Sequence, residues 1–190
     1  MRKFFVCLLI AGVAFAGCAK KETASSTQDQ ARQHLMEGTV FLKQGDLTRA
    51  IQSFATAIKV APDYFESYYM LGETLVRLKQ FPQAVAVMSA AVRQFPNNGL
   101  AYYLLAMAHE GSQQPVAAVV AARRSVELFN AAGDKEGTQR AMILLATFVS
   151  AAKQEAEKQM AENSAKDAAN AVTSAASAAS AVTDPAQPVK

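Results

Sequence analysis

The sequence predicts an all-α fold, a solenoid of about three antiparallel helix pairs closed by one further helix at the C-terminal end. Three observations lead there. The 190 residues include only 9 Gly and 6 Pro, roughly 8% together against about 12% in average proteins, too few for the turns of a β-sandwich or barrel. A shift of 34 residues aligns Gly38, Gly72 and Ala106; Ala50, Ala84 and Ala118; Phe54, Met88 and Ala122; Ala57, Ala91 and Ser125; and Pro62, Pro96 and Asn130. Turn and cap residues recur between the helical stretches at that same period. With 51% hydrophobic and 18% charged residues, the chain is neither wholly disordered nor a polytopic membrane protein.

At the N terminus, Arg2 and Lys3 precede an apolar run of 13 residues, Phe4 to Ala16, and small residues follow. This is the layout of a secretory signal peptide, predicted over residues 1–17. The run is shorter than the roughly 20 apolar residues of a spanning helix. Two cleavage readings stand. Ala14-Phe15-Ala16 fits an A-x-A site releasing a soluble periplasmic protein at Gly17. Phe15-Ala16-Gly17-Cys18 resembles the bacterial lipobox, with Phe15 where Leu or Val is usual. Cys7 leaves with the signal and Cys18 then has no disulfide partner, which favours lipidation. The resemblance implies a diacylglyceryl group and an N-acyl chain on Cys18, and two or more acyl chains hold a protein on its membrane. Ala19 stands where an Asp would resemble an inner-membrane retention signal, so the periplasmic leaflet of the outer membrane is the expected location. Residues 18–27, polar and rich in Lys, Ser and Thr, read as a short lipid-proximal tether.

First helices are predicted near 28–44, 64–79 and 98–111, and second helices near 47–60, 82–94 and 115–129. Gly45-Asp46 reads as a C-cap followed by an N-cap, Asp63 and Asn98 are available N-caps, and Pro82 and Pro115 sit where a first turn tolerates proline. Pro62 and Pro96 end the helices before them. A mid-helix Gly costs about 1 kcal/mol relative to Ala, so Gly38 and Gly72 imply close helix contact, expected against Ala50, Ala57, Ala84 and Ala91. Phe41, Phe54, Leu75 and Met88 are expected to fill the space between pairs. Over 133–160, Met142, Leu145 and Val149 recur at helical spacing beside Ile143, Leu144 and Phe148, which predicts a capping helix. Residues 161–190, 11 of them Ala, read as frayed helix grading into a low-complexity tail.

This period and its small, large and proline positions resemble the tetratricopeptide repeat family over units 31–64, 65–98 and 99–132. The third unit has lost the terminal Pro and the large residue at Ala122. The resemblance implies a concave groove lined by the first helices. Its matching positions are Arg32, Leu35, Thr39, Lys43, Glu66, Tyr69, Glu73, Arg77, Leu100, Tyr103 and Met107. Tyr69 and Tyr103 share one position in successive units and would flank an extended or helical ligand, with Arg32, Lys43 and Arg77 as charged contacts. The subfamily that clamps a peptide's terminal carboxylate carries Lys and Asn where this chain has Leu35 and Thr39, so that clamp is not expected.

No reaction chemistry is legible. His34 and His109 stand alone at repeat positions usually given to a packed aromatic, and no zinc or other metal motif, phosphate loop or nucleophile elbow occurs. Glu66 and Glu73 share a helix face, but nothing completes an acid/base site around them. Without Arg2 and Lys3 the chain carries 17 Lys plus Arg against 16 Asp plus Glu, a balance that gives no basis for nucleic-acid binding. The expected protein is therefore not an enzyme and has no cofactor besides the lipid on Cys18. It is a lipid-anchored periplasmic protein that binds one or more periplasmic or membrane proteins in its groove near the outer membrane. It is similar in build to secretin pilotins or to adaptors of cell-wall enzymes. A self-associating structural lipoprotein is the alternative, and a soluble periplasmic protein follows if Cys18 is not lipidated.

Overall fold

The computed structural model describes residues 19–181, with side chains over 27–173. The predicted signal, the lipobox and Cys18 lie outside the described residues, as does the end of the chain beyond Ala181. Seven helices follow in order: α1 (Ala19–Lys43), α2 (Leu47–Val60), α3 (Phe65–Arg77), α4 (Phe81–Gln94), α5 (Gly99–Gly111), α6 (Pro115–Ala131) and α7 (Lys135–Ala181). Among the described residues there is no strand. Each helix packs on the next, giving the pairs α1/α2, α3/α4 and α5/α6, with α7 laid against α6 and touching α5.

The punctuation works largely as its chemistry dictates. Asp46 caps α2 by accepting the Arg49 amide at 3.0 Å, and Asn98 caps α5 by accepting from Ala101 at 3.1 Å. Pro82 and Pro115 occupy the first turns of α4 and α6. Asp63 departs from expectation. The amide of Tyr64 donates to the carbonyl of Ala61 at 3.1 Å, closing a turn with Pro62 and Asp63 exposed inside it. Tyr64 becomes the N-cap residue, with no side-chain cap bond.

Both ends of the helical array are longer than predicted. α1 starts at Ala19, so the residues read as a tether continue its helix, and α7 runs to Ala181 through residues read as a fraying tail. The front of α7 is anchored by Ala141 and Phe148, 0% and 7% exposed, so the rest extends an existing helix and avoids the cost of nucleation. Ala-rich sequence and a Lys153–Glu157 pair at 3.8 Å support that extension. From Lys153 to Thr173 every residue is exposed.

The core consists of two clusters along the stack, one centred on Phe54 and Leu75, the other on Met88, Leu104 and Phe148. Its close contacts differ from those expected. A Cβ on Gly38 would lie 2.5 Å from the Phe54 ring, and one on Gly72 would overlap the Met88 sulfur. The glycines therefore receive the large residue of the partner helix, and Ala50, Ala57, Ala84 and Ala91 are fully buried in the core. In the third unit the same two positions hold Ala106 and Ala122, both fully buried, a small pair replacing a glycine and a large residue. Ser125, aligned with Ala57 and Ala91, donates to the carbonyl of Gly99 at 2.8 Å inside the core.

The 34-residue period also appears in the backbone. Gly45, Lys79 and Gln113 have φ of 79°, 58° and 58°, and the next residue in each case donates back to the helix at 2.9 Å: Asp46 to Phe41, Gln80 to Leu75, Gln114 to His109. These are glycine-type helix stops, and in two of them a side chain is held in the left-handed region. That conformation costs an L-residue about 1–2 kcal/mol, partly offset by the entropy a Gly loses on folding. Lys79→Gly is expected to stabilise the protein by about 1 kcal/mol, measured as a shift of the urea unfolding midpoint. An unchanged or lower midpoint would count against a strained turn.

Candidate interaction groove

Inner helices α3 and α5 present Tyr69, Glu73, Val76 and Arg77 beside Leu100, Tyr103, Leu104 and Met107, at the i, i+3/i+4, i+7 spacing of one helix face. Together with Phe129 of α6 and Arg140 of α7 these residues line a cavity of about 390 Å³. Its floor is apolar, with Leu104 only 5% exposed, and Tyr69 and Tyr103, each half-buried, stand one repeat apart along it. Burial pushes the Tyr69 phenol above its usual pKa; the Glu73 charge and a hydrogen bond to it add to the effect, and Arg140 opposes it. Arg140 donates to Glu136 at 3.1 Å. Arg77 is exposed at the end of α3 and has no ion-pair partner among the described residues. The arrangement offers apolar volume, two aromatic side walls and cationic rims, which suits capture of a side chain from another polypeptide.

The cavity brings together six of the predicted positions: Tyr69, Glu73, Arg77, Leu100, Tyr103 and Met107. Glu66 is exposed in the first turn of α3 and lies outside it. The four positions on α1 also lie outside. Leu35, which aligns with Tyr69 and Tyr103 but has no hydroxyl to keep wet, is drawn into the first core cluster at 8% exposure. The Thr39 hydroxyl donates to the Leu35 carbonyl at 2.8 Å, Arg32 lies 3.7 Å from Asp29, and Lys43 is exposed. Val76, Leu104, Phe129 and Arg140 are cavity residues that the sequence reading did not include. His34 and His109 are half-exposed rather than packed, and they meet Glu37 at 3.4 Å and Gln114 at 2.7 Å. Among the described residues no cluster of three or more His, Cys, Asp or Glu side chains is placed to hold a metal ion.

The sequence profile of the tetratricopeptide repeat matches residues 35–98 and again 69–134, together more than half of the chain. The chain belongs to the tetratricopeptide repeat family. Solved tetratricopeptide domains share its fold. The TPR2B domain of yeast Sti1 in its pHsp70 complex has 21% identity and a TM-score of 0.58, over 64% of this chain and 97% of that one. The first such domain of Spaghetti (RPAP3), bound to the HSP90 peptide SRMEEVD, has 21% identity and a TM-score of 0.58, over 66% and 95%. PcrH from Pseudomonas aeruginosa has 17% identity and a TM-score of 0.58, over 64% and 93%. No curated protein sequence matches the chain. A tetratricopeptide stack is a protein-interaction scaffold, and α3, α5 and α7 of this one supply its inner wall.

Proposed function

We propose that this tetratricopeptide repeat protein is a lipid-anchored periplasmic adaptor that holds a segment of a partner protein against the outer membrane. The observation that carries the binding role is the 390 Å³ cavity between Tyr69 and Tyr103, apolar below and edged by Arg77 and Arg140. Two structures of similar fold hold peptides of partner proteins, which supports the same use of the inner face here. Arg77 and Arg140 favour a segment with an acidic residue beside a large apolar anchor. Leu35 and Thr39, one buried and the other bonded to its own helix, offer no terminal-carboxylate clamp. A pilotin-like or cell-wall-enzyme adaptor role fits a small anchored stack of this kind. Photo-crosslinking from position 76 in intact cells tests the binding role by yielding a discrete adduct with another protein, and absence of any adduct would sink it.

The anchor and the location rest on Phe15-Ala16-Gly17-Cys18 and the unpaired Cys18. Metabolic labelling with a fatty-acid analogue is expected to mark the wild type and leave Cys18→Ser unlabelled. An unlabelled wild type would instead select release as a soluble periplasmic protein.

A further inference from the structure

The stack holds three complete helix pairs and then α7, an inner-type helix with no helix after it to pack on its far side among the described residues. One face of α7 is spent on the body, through Gly137, Ala141, Leu144 and Phe148. The opposite face is apolar yet open: Met142, Ile143 and Val149 are 56%, 63% and 46% exposed, and exposed Ala146 lies between them. The chain up to Ala181 is used up by α7 itself, so no later described helix of the same copy covers that face.

The face is self-complementary about Ala146. Ile143 and Val149 stand three residues either side of it, and Lys135 and Glu157 stand eleven either side. Eleven residues are close to three turns, so all of these side chains share the face. A second α7 laid antiparallel about Ala146 sets Ile143 against Val149 of the second copy twice over. It sets Lys135 against the opposite copy's Glu157 at both ends. Ala146, with one methyl, lets the two helices approach at the centre. Lys135 has no ion-pair partner among the described residues, and Glu157 has only a long one to Lys153, 3.8 Å away. We propose that the protein forms a two-fold dimer in which the α7 helices of two copies pack antiparallel about Ala146 through the face that carries Ile143 and Val149. Such an isologous contact closes on itself, so it gives dimers and not fibres.

Thiol crosslinking of the full chain in cells tests this with a short bis-maleimide. Ala146→Cys is expected to give a covalent species of twice the chain mass, whereas the parent chain and Gln159→Cys, displaced along the helix from the centre, do not. Adding Ile143→Glu and Val149→Glu to Ala146→Cys is expected to abolish the dimer. Both residues are exposed, and circular dichroism should show unchanged helix content. The proposal is overturned by Ala146→Cys that stays monomeric, by a dimer that survives the two Glu substitutions, or by an adduct of Ala146→Cys with a different protein in place of the homodimer. Dimer formation at Met36→Cys, on the exposed face of α1, with none at Ala146→Cys would mean a head-to-head contact through α1 and equally overturn it.

Discussion

Gly38→Ala is expected to destabilise the protein by about 1–2 kcal/mol, yet to stabilise it by about 1 kcal/mol when Phe54 has first been replaced by Ala. Two opposed effects decide the sign. Ala for Gly inside a helix gains about 1 kcal/mol from backbone entropy, while forcing a methyl into a packed core costs about 1–3 kcal/mol. The Cβ would sit 2.5 and 2.7 Å from two carbons of a fully buried aromatic ring, and a ring cannot fold out of the way, so the steric cost wins. Phe54→Ala alone should cost about 3–5 kcal/mol, and its cavity then admits the new methyl. That double variant reproduces the Ala106 and Ala122 pair of the third unit. Gly72→Ala should cost less than Gly38→Ala because its neighbour Met88 has a flexible side chain. Urea unfolding of the four members of the cycle reads the sign reversal, and additive effects would mean that positions 38 and 54 do not meet.

Replacing Tyr69, Arg77 and Tyr103 together by Ala is expected to remove the crosslinked partner and to weaken binding at least about 100-fold. Aromatic and Arg anchors in a desolvated pocket typically contribute more than about 1 kcal/mol each, and about 1.4 kcal/mol is tenfold in affinity. All three side chains are exposed or half-buried, so the stack should keep its unfolding midpoint. Tyr69→Phe is a finer probe: the ring stays but the hydroxyl is lost, and binding should fall only several-fold. A triple variant that retains every adduct would sink the groove as the binding site.

Much of this architecture was legible because helix stops and starts depend on local chemistry. α2 spans 47–60 as predicted, since Gly45 and Asp46 set its start by backbone freedom and a side-chain cap. The partners of Gly38 and Gly72 were not legible. Aligning repeats shows which positions are small, but only the packed helices show that the empty space beside a glycine is filled by Phe54 or Met88. The same limit applies to the groove. Shifting by 34 residues found Tyr69 and Tyr103, but α7 begins 36 residues after α5, and those two extra residues put Arg140 beyond the reach of the period. Phe129 belongs to an outer helix and breaks the rule that first helices alone line the wall. The extent of α7 was missed because its tail was judged as a free peptide, whereas it grows from a helix already held by Ala141 and Phe148.

That long helix has a mechanical consequence. From Lys153 to Ala181 it carries on for about 43 Å at 1.5 Å per residue. A rigid arm fixed at one end amplifies rotation: a 5° tilt where α7 meets α5 and α6 moves its far end by about 4 Å. Arg140 lies in the anchored part of α7 and also in the wall of the cavity. A tilt of α7 at the cavity wall would therefore be read out, enlarged, at its distant tip.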